Sequence, residues 1–101
     1  MKFLVIQKPI AGATWPEDRL AFWESAKQWA NNLLSDGTLD CAYNLPAGGG
    51  LGVVNASSHE QLTEILASNP GSAVVSYEIH PLSDVNHLFD LAIQSLKRRQ
   101  Q

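Results

Sequence analysis

Glu78 and His80 have the residue types and the spacing that acid–base chemistry needs. They lie in the run Ala73–Leu82, AVVSYEIHPL, where Val75, Tyr77 and Ile79 alternate with Val74, Ser76, Glu78 and His80. A period of two puts the first set on one face of a strand and the second set on the other. A carboxylate and an imidazole at i and i+2 therefore share a surface, and such a pair can take up a proton and return it near neutral pH. Ser76 falls on the same face. A second alternating run, Thr38–Leu45, puts Asp40, Ala42 and Asn44 on one face and Leu39, Cys41, Tyr43 and Leu45 on the other. The expected site has Glu78 and His80 as the catalytic pair, with Asp40, Asn44 and Ser76 as substrate-binding groups. Tyr43 and Tyr77 are expected to face helices. A solvated strand end, or a salt bridge between subunits, is the structural alternative for Glu78 and His80.

Other chemistry-bearing residues do not extend this set. His59 and His87 fall on helical segments with no evident convergence on Glu78 and His80, so no metal site and no cofactor is expected. Cys41 is the single cysteine, which excludes an intrachain disulfide and a two-cysteine metal site. In an alternating strand it reads as a small apolar core residue. Gly48-Gly49-Gly50 leads from one strand into another, whereas a phosphate loop leads into a helix N-terminus. The glycines read as a hairpin tip.

Positioning such a site takes a folded core. The 101 residues make one domain, 1–101, with 45% hydrophobic and 17% charged residues. A net charge of −3 and the absence of a dense basic face argue against nucleic acid. The one basic run, Lys97-Arg98-Arg99, ends a helical segment, where it offsets the macrodipole. The apolar start, Phe3–Ile6, is too short for a secretory core, and no run reaches membrane-spanning length; a reducing cytoplasm is the expected compartment.

Met1–Lys8 reads as a buried central strand closed by Pro9, with Phe3 and Val5 facing one way and Leu4 and Ile6 the other. Thr14 is the expected cap of a helix with Pro16 in its first turn, and Leu20, Trp23, Ala30, Leu33 and Leu34 recur at helical spacing up to Ser35 before Gly37 stops it. Residues 50–56 form a strand that pairs as a hairpin with 38–45. Ser57–Asn69 is a helix, with a capping box expected from Ser57 and Glu60. Ser83 and Asp84 cap a last helix whose apolar face holds Val85, Leu88, Phe89, Ala92 and Leu96. The resulting fold class is α+β, a ferredoxin-like βαββαβ sandwich with an antiparallel sheet and an added C-terminal helix. The strands at 1–8 and 50–56 are central and apolar on both faces, so something must cover the second face. A homodimer, with the last helix adding contacts, meets that need.

Ser58-His59-Glu60-Gln61-Leu62, Leu66, Pro70 and Tyr77-Glu78-Ile79-His80-Pro81-Leu82 resemble the muconolactone delta-isomerase family, most clearly over residues 52–82. The resemblance implies a ferredoxin-like protomer in dimeric α+β barrels and often larger rings. It also implies a cofactor-free shift of a double bond in a small unsaturated lactone. On that implication Glu78 takes the proton, His80 returns it or orients the lactone carboxylate, and Asn44 donates to the enolate oxygen. The chain departs from the family in its aromatic first helix (Phe22, Trp23, Trp29) and in a longer C-terminal helix. Two other functions stand beside this one: a non-catalytic small-ligand-binding or structural dimer, and a monooxygenase of the same barrel superfamily, whose mark is Trp23 or Trp29 lining the cavity.

Overall fold

The computed structural model describes residues 1–100, in the order β1 (Lys2–Pro9), α1 (Arg19–Ser35), β2 (Leu39–Asn44), β3 (Gly50–Asn55), α2 (His59–Ala67), β4 (Val75–Leu82) and α3 (Val85–Arg99). The four strands make one sheet in the order β2-β3-β1-β4, antiparallel at every pairing. The expected central strands are therefore central, and the ferredoxin-like sandwich is the fold that forms.

Residues opposite one another in the ladder share a face. Phe3 opposes Val54 and Val5 opposes Ile79, so this row faces α1 and α2. Phe3, Val5, Leu39, Val54 and Ala56 pack there against Leu62 and Leu66 of α2, with Leu33, Ile65 and Tyr77 at the margin. The other face carries Leu4, Ile6, Leu51 and Val53 with no helix over it, and all four are only half-buried.

Local chemistry moves two helix starts from their expected residues. Asp18, not Thr14, caps α1, its carboxylate accepting from Ala21 N–H at 3.0 Å. Thr14–Glu17 stay outside the helix while Trp15 folds back, stacking on Trp23 and meeting Phe22 edge-on. The capping box of α2 is shifted by one residue: Ser58 accepts from Gln61 N–H, and Gln61 Oε1 reaches back to the Ser57 N–H and hydroxyl. Gln61 wins over Glu60 because the cap sits one residue later. Asp84 caps α3 as expected, accepting from Asn86 N–H at 2.7 Å.

Two features place the side chains of the site. β2 has a register shift between Leu39 and Cys41, so Leu39 opposes Val54 while Cys41 opposes Val53. The extra residue breaks the alternation. The other feature is α3, whose residues are all exposed. It extends from the body, giving a long axis of 68 Å and a radius of gyration of 17.9 Å, where a compact chain of this size has about 13 Å.

Candidate functional site: a cavity on the covered face of the sheet

The covered face is not evenly filled. On β3 the three residues turned toward the helices are Gly50, Gly52 and Val54, and on β2 they are Leu39, Ala42 and Asn44. Two of the six have no side chain and a third has one carbon. The helices above stay at packing distance because Phe3, Val5, Leu62 and Leu66 hold them there. A cavity of about 310 Å³ results, floored by Gly50, Gly52 and Ala42 and roofed by Trp29, Ala30 and Leu66. That volume is at the small end of ligand sites.

The floor is fixed by close backbone approach. A Cβ on Gly52 would lie 3.0 Å from the Cys41 carbonyl and 3.2 Å from Leu39 Cδ2, and one on Gly50 would lie 3.0 Å from the Tyr43 carbonyl. At the hairpin tip, Gly49 has φ +86° and its Cβ would strike the Gln7 carbonyl. Leu45 N–H closes the tip on the Gly49 carbonyl at 2.9 Å. The glycine run is thus the hairpin tip expected of it, and its last member begins the cavity floor.

The polar part of the wall is neutral. Gln7, Asn44 and Tyr77 line it, with Tyr43 at its edge. Behind them Asn69 is buried, donating from Nδ2 to the Tyr77 hydroxyl at 2.8 Å and accepting at Oδ1 from Gly71 N–H at 2.9 Å. The Tyr77 hydroxyl donates in turn toward the Leu66 carbonyl at 3.4 Å. Burial raises the Tyr77 phenol above its ordinary value, with the Asn69 hydrogen bond pulling the other way. A phenol so placed keeps its proton at neutral pH and acts as a hydrogen-bond donor. Trp29 Nε1 donates to Ser68 Oγ at 2.8 Å, pinning the indole between α1 and the end of α2. Trp23 is instead exposed, in the Trp15 cluster.

The expected site residues divide between the two faces. Glu78 opposes Ile6 and His80 opposes Leu4, so both stand on the open face, where Glu78 Oε2 lies 3.4 Å from His80 Nε2. Their side chains are 60% and 53% exposed, so the pair stands in water in the single chain. Ser76 shares their face at the far end of β4, its hydroxyl 3.5 Å from the Lys8 carbonyl. Asp40 and Asn44 do not share a face as the alternation predicts; the register shift in β2 separates them. Asp40 bonds Lys2 Nζ and Asn55 Nδ2 on the open side, and those bonds hold its carboxyl below the usual carboxylate range. Asn44 lines the cavity. Tyr77 faces the helices as expected, but Tyr43 opposes Leu51 and is exposed. Among the described residues, no group of three or more His, Cys, Asp or Glu is placed to hold a metal ion, and no helix is long and apolar enough to cross a membrane.

The sequence reading missed Gly52, Gln7 and Asn69. An isolated glycine inside an alternating strand was the available signal for Gly52, since it marks close backbone approach. Nothing in the sequence singled out Gln7, and Asn69 reads as a helix end.

No protein-family model matches the sequence, and no curated protein matches it. Among solved structures the chain is similar to a muconolactone isomerase, with a TM-score of 0.72 and 20% identity over 83% of this chain and 90% of the other. It is also similar to the 5-chloro-2-hydroxyhydroquinone dehydrochlorinase TftG of Burkholderia phenoliruptrix AC1100, in complex with 2,5-dihydroxybenzoquinone. There the TM-score is 0.68 and the identity 12%, over 86% of this chain and 98% of the other. The α+β fold is thus one that known enzymes share, and it is the fold that the resemblance implied.

Proposed function

We propose that the protein is a cofactor-free enzyme that binds a small, flat, oxygen-bearing ring compound in the cavity between its sheet and helices and shifts a double bond in it. The glycine-floored cavity with its neutral polar wall carries this reading. Its size suits a five- or six-membered ring, and both solved structures are named for reactions of such rings. Stacking on Trp29 and contact with Ala30 and Leu66 supply apolar binding. The amides of Gln7 and Asn44 can donate to a ring carbonyl, and the Tyr77 hydroxyl can join them by turning its one proton away from the long contact to the Leu66 carbonyl; such donors gain strength as the oxygen becomes an enolate. A double-bond shift moves one proton from one ring carbon to another, so no electrons are supplied or removed. The cavity lining holds no carboxylate and no imidazole, so the proton acceptor there is water or a carboxylate of the ligand itself.

A second reading rests on the Glu78–His80 pair. A second copy of the chain covering Leu4, Ile6, Leu51 and Val53 would enclose that pair with apolar side chains and give it the base and acid roles. The two readings share a homodimer in the barrel manner, and they differ in which face of the sheet holds the ligand.

Titrating muconolactone or 2,5-dihydroxybenzoquinone into 15N-labelled protein tests them. The expected result is shifts at Gly50, Gly52 and Tyr77, lost in Ala30→Leu, which fills the cavity roof without adding a polar group. Shifts confined to Glu78 and His80 would transfer the site to the open face. Turnover is followed by the ultraviolet change as the double bond moves. Binding without turnover for any ring tried would reduce the protein to a ligand-binding dimer.

A further inference from the structure

α3 begins at the end of β4, carries Val85, Leu88, Phe89, Leu91, Ile93 and Leu96 at half exposure or more, and buries none of them. The apolar side chains cover roughly half of the helix circumference at 3.6 residues per turn, more than a solvated helix face holds. The body of its own chain is not available to cover them, because α3 runs outward from it.

We propose that α3 pairs antiparallel with α3 of a second copy of this chain, which specifies one contact within the homodimer proposed above. Val85, Phe89, Ala92 and Leu96 are spaced 4, 3 and 4 apart, the seam spacing of a two-helix coil. One antiparallel register matches all four: Val85 meets Leu96 of the second copy, and Phe89 meets its Ala92, large against small. The overlap spans about 18 Å at 1.5 Å per residue. The charges fit this register too. Lys97, Arg98 and Arg99 run past the seam and reach Asp84 of the second copy, at the start of its helix. Those three are the only Lys or Arg after residue 27, and eight of the ten Asp and Glu lie within residues 1–82, so the basic tip meets an acidic body. The antiparallel arrangement also sets the two helix dipoles head to tail. Because each copy contributes the same surface, the contact closes on itself about a two-fold axis.

The test uses the full chain with Cys41→Ala as background. Val85→Cys and Leu96→Cys variants are made separately, oxidised alone and oxidised after mixing, while sedimentation measures assembly at micromolar concentration. The expected result is a covalent dimer only on mixing, with Lys97, Arg98 and Arg99 changed together to Glu weakening dimerisation tenfold or more. Cross-linking of each variant with itself would mean a parallel pair and overturn the proposal. A dimer that neither cross-links nor responds to the charge reversal would leave the sheet-face assembly standing and remove α3 from it. A monomer that instead partitions onto anionic lipid vesicles would overturn the pairing and make α3 a membrane-surface helix. A monomer that does neither would remove the dimer altogether. Ligand shifts at Gly50 and Gly52 in each variant report that the body is folded and that the cavity reading is intact.

Discussion

The two faces of the sheet carry similar rows of aliphatic side chains and very different polar groups. On the covered face, Phe3, Val5 and Val54 are buried under helices, and the polar members are Gln7, Asn44, Asn69 and Tyr77, all neutral and mostly tied to one another. On the open face, Leu4, Ile6, Leu51 and Val53 stand among Lys2, Asp40, Glu78 and His80, which pair in water. Charged groups with ordinary protein chemistry accumulate where solvent screens them, and neutral donors accumulate where it does not. A search for titratable pairs therefore finds the open face first, whichever face binds the ligand.

The strongest way to break this contrast is to truncate matched residues on either side. Phe3→Ala should cost about 3–5 kcal/mol in urea unfolding, the usual cost of emptying a buried aromatic site. Leu4→Ala, one residue away, should cost under about 1.5 kcal/mol in a protomer and show itself instead as weaker self-association. Equal losses would mean that the open face is as buried as the covered one. Next in size is Gly52→Ala, where the new methyl has 3.0 Å to the Cys41 carbonyl; a loss of about 1–3 kcal/mol is expected from overpacking, together with loss of ring binding.

Tyr77→Phe sharpens the contrast in a different way. Its phenol is raised by burial, so the folded protein holds that proton above pH 10, where the unfolded chain gives it up. The unfolded state then binds fewer protons, and stability falls as pH rises past the ordinary phenol value. Tyr77→Phe should flatten that alkaline fall and lose about 1 kcal/mol at neutral pH through the hydrogen bond from Asn69. A fall of unchanged steepness would mean that another group carries it. The smallest effect belongs to Glu78→Gln, expected within about 0.5 kcal/mol of wild type in stability, as for other exposed pairs. Its value lies in turnover: retained activity keeps the ligand on the covered face, and abolished activity with intact folding moves the chemistry to the open one.

The sandwich was legible because periodicity survives in β1, β3 and β4: Phe3 and Val5 separate cleanly from Leu4 and Ile6, and the same parity sorts Glu78 and His80 from Tyr77. β2 was not legible. Its register shift depends on how Asp40 meets Lys2 and Asn55, partners 38 and 15 residues away in sequence, and no local pattern records that. The candidate site suffered most, since the shift leaves Asp40 on the open face and Asn44 on the covered one. The cavity escaped notice for a related reason: it is made by side chains that are missing at Gly50 and Gly52, while sequence patterns are read from those present. The amphipathic stripe of α3 was plain at 3.6-residue spacing, but whether its own chain would cover it is a property of the turn at Ser83 and Asp84.

The glycine floor has a consequence for how such a pocket can be retuned. Cys41 and Tyr43 carbonyls press on that floor from the neighbouring strand, so enlarging any residue there distorts the sheet before it reshapes the space. Ala30 hangs from a single helix and faces no such restriction, while Trp29 beside it is held by its bond to Ser68. Selectivity among ring sizes would then drift through the ceiling alone, two helices acting as the adjustable jaw of a vice whose other jaw is backbone.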